Sequence, residues 1–533
     1  MIHGSYLIKA LAFLLPLVGA WLVFRPRLAF EDQKVFLRFA IYVVGATTII
    51  FTIANTMVMF LALTLLIVCV RPPGSASFSL LYFAFLYVVP ADFGWAIPFP
   101  GINFLISISQ TRLLAFALLP AAIAALRGNA IKLNRTDAVF LAYAVLVTLM
   151  TVRTGGSVTN VLRMMLYSVF AFLVPYLALS RSIRQPKDAQ LMLCGLIWIG
   201  TFLTVVGVGA SVQRWDYYTS LASATGHGTS SAFREGTFRI SGPIGSMEYG
   251  FWMGATVALI LLMRRYLVSP KIVTWGWAGV ACLMILSSQS RGGLLGSLLL
   301  AIIFPYFLMR SSGLRASYVG AGLVGAVALY LSLKATGFDA VDEYGTFDYR
   351  QNLLDAAWIH VKQYPILGNP RYMESPIFAH LYQGQGIIDF VNGYVQVVLG
   401  SGLVGLGLFV LALLFAWRDV VKGTDIVRDV HAAPDGVLVL GRFLGMALPA
   451  FAVLAATTSF VSYMQPSIIA LAAFARGYRA LAESLRDSPV AEAAPEPVAV
   501  TPAAVGEPAR PAPRPEDAWW PGGYVPGRTG WPS

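Results

Sequence analysis

The sequence is poor in charged residues and in cysteine. Asp, Glu, Lys and Arg make up 12% of its 533 residues and hydrophobic residues 57%, whereas soluble domains carry about 25% charge. This composition excludes an ordinary water-soluble domain, which would have too few charges to cover its surface. The three cysteines, Cys69, Cys194 and Cys282, lie inside apolar runs without metal-ligand spacing or a disulfide framework. We therefore expect them to pack in the core.

Several motifs of soluble enzymes are also missing. The sequence has no Gly-rich phosphate loop followed by Lys-Ser or Lys-Thr, which argues against ATP hydrolysis. It has no Asp-x-Asp run of the kind that holds a metal with a nucleotide sugar. No pair of carboxylates has the spacing typical of a soluble glycosidase. We expect neither a cofactor nor a metal site.

Long apolar runs take the place of charge. Crossing a bilayer as a helix needs about 17 to 25 residues, and runs of this kind recur along most of the chain. The run 292–309 is apolar on every side, which favours a helix over a barrel strand. The sequence predicts an all-α polytopic transmembrane bundle of roughly 13 to 15 helices. The predicted spans are 7–24, 36–70 as one or two crossings, 78–97, 110–126, 137–152, 163–180, 190–210, 248–264, 272–289, 292–310, 316–333, 391–417, 439–462 and 466–484.

The basic residues indicate the orientation of the chain. The net charge is +12, but the cations are dispersed at helix ends rather than gathered into a stripe, so we expect no nucleic-acid partner. Positive-inside bias places the connectors around 264–271, 310–315 and 418–428 in the cytoplasm. Two polar segments, about 211–247 and 334–390, then face the periplasm. The sequence thus predicts a multi-pass protein of the bacterial inner membrane with a large periplasmic loop.

The large loop and the C-terminal tail differ in composition. Leu354, Trp358 and Val361 have helical spacing and should share one apolar face of a loop helix. The tail, 487–533, is rich in Pro, Ala and Glu and should be a disordered cytoplasmic segment, because it has too few apolar residues to form a core.

Charged residues beside apolar spans are costly and are therefore candidates for function. Arg239 lies in FRISGPIGSMEYGF with Glu248, and Arg291 lies in SSQSRGGLLG. Arginine forks bind phosphates bidentately, so two or three of them could hold a pyrophosphate. The alternative for an isolated arginine is that it reaches the lipid headgroups. His380, Asp389 and Glu248 are candidates for a general base, although His380 could also be a solvated histidine without a role.

These motifs resemble the O-antigen ligase and O-antigen or exopolysaccharide polymerase superfamily of membrane glycosyltransferases. The resemblance rests on RISGPIGSMEYGF, on SQSRGGLLG, and on the order RQNLLDAAWIHVKQYPILGNP, large loop, NGYVQVVLGSGLVGLGLF. It covers about 235–415. We therefore divide the chain into N-terminal helices 1–235, a ligase- or polymerase-like core 236–415 with loop 334–390, C-terminal helices 416–486 and the tail.

The resemblance implies a substrate class. Donors in this family are saccharides linked to undecaprenyl pyrophosphate, used without a nucleotide sugar or metal. The implied partners are such an oligosaccharide donor, a glycan acceptor, membrane lipid and other polysaccharide-assembly proteins. Arg239 and Arg291 would contact the pyrophosphate, and Arg350 would shape the loop or bind the donor. The expected function is therefore a polymerase or ligase acting at the periplasmic face during surface polysaccharide assembly.

One position departs from the family pattern. Many ligases have a His-Asn pair at the start of the helix after the large loop, and here the pair is Val391-Asn392. His380 or Asp389 could replace that histidine as the base. The departure also favours polymerase over ligase.

Two other classes of protein share some of these features. A polysaccharide or lipid-linked saccharide flippase would also have many helices and interior arginines, but transporters commonly show paired halves. Residues 1–210 and 248–484 show no such repeat. A scaffold protein would leave Arg239, Arg291 and the large loop unexplained.

Overall fold

We describe the protein from a computed structural model. It describes residues 17, 19–20, 33–70, 76–91, 93–127, 133–224, 233–234, 236–309, 311, 313–322, 324, 346–382, 388–430, 436–460 and 463–487. The predicted span 7–24 and the predicted disordered tail lie almost entirely outside these residues, as does much of the predicted span 316–333.

Helices make up most of the described structure. Two short antiparallel hairpins accompany them, β1 (Gly94–Ala96) with β2 (Ser107–Ser109) and β3 (Phe233–Arg234) with β4 (Thr237–Phe238). The helices are α1 (Gln33–Thr52), α2 (Thr56–Val70), α3 (Ala76–Val88), α4 (Gln110–Arg127), α5 (Arg135–Met150), α6 (Val158–Ser168), α7 (Val174–Leu179), α8 (Pro186–Gln213), α9 (Tyr217–Ala224), α10 (Ser246–Met263), α11 (Lys271–Ser287), α12 (Arg291–Leu308), α13 (Thr346–Gln363), α14 (Gly393–Asp429), α15 (Val437–Ala455) and α16 (Met464–Arg486).

The helix lengths fit a membrane protein. Within the described part of the chain, eight helical segments are long and apolar enough to cross a bilayer, and four shorter apolar helices accompany them. The predicted all-α polytopic bundle is confirmed. The ambiguous run 36–70 forms two helices, since the chain leaves the helix at 53–55 and Asn55 Oδ1 accepts a hydrogen bond from Val58 N at 3.2 Å.

The expectation for the cysteines is only partly correct. All three are free, and Cys194 is buried in the core on α8. Cys69 and Cys282 are exposed on the outside of the bundle. In a membrane protein an apolar run faces lipid as readily as protein, so position within such a run does not decide burial.

One end of the bundle carries paired charges, and we call it the basic end. Asp137 on α5 binds Arg181 and Arg476, each at 2.9 Å, and all three side chains are buried. On the neighbouring helices, Asp425 contacts Arg315 and Arg428, each at 3.3 Å. These ion pairs join the helices where their connectors are richest in cations.

The opposite end, the loop end, gathers connectors from distant parts of the sequence. Arg153 Nη1 donates to Gly368 O at 3.0 Å, and Ser459 Oγ donates to Asp389 Oδ1 at 2.5 Å. The turn after α11 contacts the strand that precedes α10. Backbone and side-chain hydrogen bonds therefore fix these connectors over the helix ends.

The predicted loop helix is present as α13, and of the three residues with helical spacing only Val361 is buried. Leu354 and Trp358 are 50% and 60% exposed, whereas Leu353 and Ala357 are buried with Val361. The buried face packs on Phe378, Phe390 and Leu399 in a small core of its own. Small alanines let this face approach its neighbours closely, so the larger apolar residues lie outside.

Candidate active site at the loop end

The segment that carries Arg239 docks on the turn that precedes Arg291. Ile240 N donates to Ser287 O at 3.2 Å, and Arg239 Nε donates to Ser288 O at 3.3 Å. Thr237 Oγ1 adds a hydrogen bond of 2.7 Å to Gln289 Oε1. Gln289 has a φ of +46°, a left-handed conformation that tightens this turn. Two arginines 52 positions apart in sequence thus belong to one docked pair of segments.

Arg291 is the first residue of α12, and its side chain is exposed. Ser290 caps the helix, because its Oγ accepts a hydrogen bond from Gly293 N at 3.2 Å. Among the residues that the structure describes, the Arg291 guanidinium has no hydrogen-bond or ion-pair partner. An unpaired cation at a helix N-terminus presents guanidinium and backbone N–H donors to an anion on the same side.

Small residues hold α10 and α12 in close contact. A Cβ on Gly293 would lie 2.8 Å from Met247 O and 3.0 Å from Gly250 Cα, so glycine is required at this crossing. One turn further, Ser297 Oγ donates to Gly250 O at 2.9 Å. This packing sets the start of α12 beside the start of α10.

Glu248 lies at the start of α10, in the position expected from the sequence. It is the third residue of the helix, is 6% exposed, and interacts electrostatically with Arg239 and Tyr87. Its Oε2 lies 3.3 Å from where a Cβ on Gly245 would stand, so the carboxylate folds back over the helix N-terminus. A carboxylate is favourable there because the helix dipole is positive at that end.

Asp216, which no motif in the sequence marks, organises the loop that leads to these residues. Its Oδ1 accepts hydrogen bonds from Tyr218 N and Thr219 N, and its Oδ2 from Ser241 N and Gly242 N, all between 2.8 and 3.1 Å. Burial raises the pKa of Asp216, and hydrogen bonds from the backbone N–H groups oppose that shift. The carboxylate therefore ties α9 to the segment that carries Arg239.

Asp389 lies near the same group of segments. Its Oδ1 accepts hydrogen bonds from Ser459 Oγ at 2.5 Å and from Val391 N at 3.2 Å, and its side chain is still exposed. Thr457, two residues before Ser459, lies 3.2 Å from where a Cβ on Gly292 would stand. The connector after α15 thus links Asp389 to the start of α12.

The Val391-Asn392 pair has a structural role in this chain. Asn392 caps α14, because its Oδ1 accepts hydrogen bonds from Tyr394 N at 2.9 Å and Val395 N at 3.2 Å. Val391 has a φ of +24°, which is unusual for a β-branched residue. The backbone at this position is held by the loop on one side and by the helix cap on the other.

The other two predicted site residues lie further along the loop. His380 is exposed on a 3-10 turn, Pro376–Leu381, beside α13, and nothing in the described chain connects it to the arginine-bearing segments. Arg350 is exposed on α13, next to Tyr349, whose hydroxyl donates to Asp389 O at 3.0 Å. The structure brings Arg239, Glu248, Arg291 and Asp389 to one end of the bundle, and Arg350 reaches that group only through its neighbour.

His360 on α13 is the buried histidine of the loop. It is 1% exposed, its ring centroid lies 5.1 Å from that of Tyr364 and 5.6 Å from that of Phe378, and burial lowers its pKa. Neither ring nitrogen has a hydrogen-bond partner within the described part of the chain. The imidazole is therefore a neutral packing residue. No cluster of three His, Cys, Asp or Glu side chains in the described ranges could hold a metal ion.

Comparison with known proteins identifies the core of the chain. Residues 276–410 match the O-antigen ligase family. The match includes Arg291, Arg350, His380 and Asp389. Arg239 and Glu248 precede it. A search of curated proteins finds no match. The family resemblance seen in the sequence is confirmed over residues 276–410, and the chain is a membrane protein that carries an O-antigen ligase-type domain.

Proposed function

We propose that the protein transfers a saccharide from an undecaprenyl-pyrophosphate-linked donor to a glycan acceptor at the periplasmic face of the inner membrane. The observation that carries the proposal is the docking of the Arg239 segment on the turn before Arg291, with a hydrogen bond of 3.3 Å from Arg239 Nε to Ser288 O. Two cations from separate segments then face the same end of the bundle. A lipid diphosphate is the anion in a membrane that suits such a pair.

The reaction breaks the bond between the anomeric carbon of the donor and the pyrophosphate oxygen. The acceptor hydroxyl oxygen forms the new glycosidic bond to that carbon, and undecaprenyl pyrophosphate leaves with the electron pair. Arg239 and Arg291 stabilise the charge that develops on the leaving group. The proton of the acceptor hydroxyl passes to a carboxylate acting as general base.

Asp389 is the base that the geometry favours. Its exposed carboxylate accepts a hydrogen bond from Ser459, which lies on the connector next to the start of α12. Glu248 is 6% exposed and interacts with Arg239, so we assign it to positioning that arginine. His380 lacks any described contact with the arginine-bearing segments. Arg350 has the role of an outer contact for the donor.

Polymerase activity is the form of the reaction that we favour. Ligases of this family commonly carry histidine where this chain has Val391, and here the backbone at that position is held with a φ of +24°. Asp389 belongs to the loop itself, so it can act as the base for a hydroxyl group of a growing glycan as well as for one of a lipid acceptor. The acceptor is therefore proposed to be a further repeat unit.

The test replaces Arg239 or Arg291 with Gln in cells and follows lipid-linked saccharides and long-chain glycan. Arg265→Gln, an exposed cation beyond the other end of α10, is the matched control. Loss of one oxyanion-stabilising donor lowers turnover by about 10²- to 10³-fold, so single repeat units should accumulate on the periplasmic leaflet and long chains should disappear.

Two outcomes of that experiment contradict the proposal. Unchanged glycan at a normal protein level removes the two arginines from the chemistry. Lipid-linked saccharide that stays on the cytoplasmic leaflet identifies the protein as a flippase instead. The control variant should make glycan as the natural protein does.

A further inference from the structure

A polar pocket lies at the basic end, far from the candidate active site. Its volume is about 250 Å³, and α5, α14 and α16 form its walls. Arg418 follows Gly402, the non-helical residue within α14, by 16 positions. At 1.5 Å per residue this separation is about 24 Å along the helix, most of the thickness of the hydrocarbon core of a bilayer. The pocket lining is Asn134, Arg135, Thr136, Phe415, Arg418, Asp419, Lys422, Arg479 and Glu483.

The two acids in this pocket are already paired within the protein. Asp419 Oδ2 accepts hydrogen bonds from Asn134 Nδ2 at 2.9 Å and from Thr136 Oγ1 at 2.7 Å. Glu483 forms an ion pair of 2.9 Å with Arg479. Four cations line the pocket against these two carboxylates, so the lining keeps a net positive charge.

Three cations remain without partners among the described residues. Arg418 and Lys422 are one helical turn apart on α14, and both are exposed. Arg135 is the first residue of α5, at a helix N-terminus where the backbone dipole adds positive potential. Cations from two helices thus border one pocket, which is the arrangement that holds a phosphate group.

The surroundings of the pocket suit a lipid. Phe415, half-buried on α14, lines the pocket one turn before Arg418, towards the centre of the helix. An apolar residue on the membrane side of a cationic rim matches the boundary between acyl chains and headgroups. Basic pockets between transmembrane helices on the cytoplasmic side commonly bind anionic headgroups.

We propose that this pocket binds the phosphate of an anionic phospholipid headgroup, held by Arg135, Arg418 and Lys422. The site differs from the candidate active site in position and in residues. It does not depend on the proposed transferase activity. A free phosphate compound has the same chemistry, and the experiment separates the two sources.

The test uses full-length protein in detergent and counts retained lipids by native mass spectrometry. The natural protein and the double variant Arg418→Gln with Lys422→Gln are titrated with phosphatidylglycerol, with phosphatidylethanolamine, or with inorganic phosphate alone. The control is the double variant Arg264→Gln with Lys271→Gln, which removes two exposed cations of the basic end outside the pocket.

We expect the natural protein and the control to retain phosphatidylglycerol in preference to phosphatidylethanolamine. The pocket variant should bind phosphatidylglycerol about 10- to 30-fold more weakly, and raised salt should reduce the difference. Equal retention by the pocket variant, or an equal loss in the control, would overturn the site. Inorganic phosphate that binds at the pocket and is not displaced by phosphatidylglycerol would overturn the lipid assignment. Thermal unfolding of both variants verifies that each is folded.

Discussion

The backbones of Gly368 and Gly402 pack against each other with no room for a side chain on either residue. A Cβ on Gly368 would lie 2.5 Å from Gly402 N, and a Cβ on Gly402 would lie 2.6 Å from Gly368 N. Both residues have positive φ, 63° and 67°. Gly402 interrupts α14, and the freed groups bind the loop: Leu403 N donates to Pro365 O at 2.9 Å, and Asn369 N donates to Leu399 O at 2.7 Å.

This contact predicts that Gly402→Ala weakens the attachment of the large loop. The alanine methyl group would clash with the 365–368 turn. It would also require a backbone conformation that is nearly restricted to glycine, so the free energy of unfolding should fall by about 2 kcal/mol or more. Thermal unfolding and limited proteolysis of the loop measure the effect. Gly407→Ala is the control, because that helical glycine has nothing within 4 Å of its Cβ position. It should be neutral or slightly stabilising, and an equal loss in both variants would argue against the contact.

The assignment of the base predicts a ranking of three variants. Asp389→Asn keeps the hydrogen bond from Ser459 but cannot take a proton, so transfer should fall by about 10²- to 10⁴-fold while donor binding stays the same. His380→Gln should leave transfer unchanged. Glu248→Gln should weaken donor binding more than turnover, since it acts through Arg239. The rates are measured on purified protein with a labelled lipid-linked donor. Full activity of Asp389→Asn would rule out this residue as the base.

The four hydrogen bonds to Asp216 predict that Asp216→Asn disorders the loop before α10. An asparagine offers one acceptor oxygen, so its amide N–H groups would face backbone N–H groups on one side. Leaving those donors unsatisfied should cost about 1 to 3 kcal/mol. The expected result is lower thermal stability together with weaker donor binding. Asp348→Asn, an exposed carboxylate on α13, is the control and should change neither quantity.

The buried His360 predicts a pH dependence of loop stability. Its folded-state pKa is lowered below 6.5, so the unfolded state takes up a proton first as the pH falls. The free energy of unfolding of the loop should be highest above about pH 6.5, and it should decrease as the pH falls from there to the folded-state pKa. Hydrogen exchange of α13 at pH 7.5 and 5.5 measures this. His360→Phe should remove the dependence, whereas His380→Gln should leave it in place. A pH-independent natural protein would refute the neutral-histidine account.

The fold could be predicted because the bilayer restricts it. A chain with few charges and repeated apolar runs spans the bilayer, and runs that are apolar on every side favour helices over barrel strands. The buried face of α13 could not be predicted in the same way. Its packing depends on Ala356 and Ala357, and the sequence pattern gave more weight to the larger Leu354 and Trp358, which are exposed.

The candidate site was predictable only where its chemistry lies in local motifs. Arg239 and Arg291 stand out because each is a cation beside an apolar span. Asp216 was missed, since two of its partners are backbone groups 25 and 26 positions away and no spacing rule reveals them. Likewise, the contact of Asp389 with Ser459 spans 70 positions. Such pairings arise from the packing of helix ends, which a single sequence does not encode as a pattern.

The central claim is that Arg239 and Arg291 bind one lipid diphosphate. The most direct measurement is the affinity of the purified full-length protein in nanodiscs for undecaprenyl pyrophosphate, compared with the Arg239→Gln with Arg291→Gln double variant. Lys362→Gln, an exposed cation on α13, is the control. Each charge-assisted contact contributes about 1.5 to 3 kcal/mol, so we predict a loss of at least about 100-fold in the double variant and none in the control. Equal affinity of the double variant and the natural protein would contradict the account.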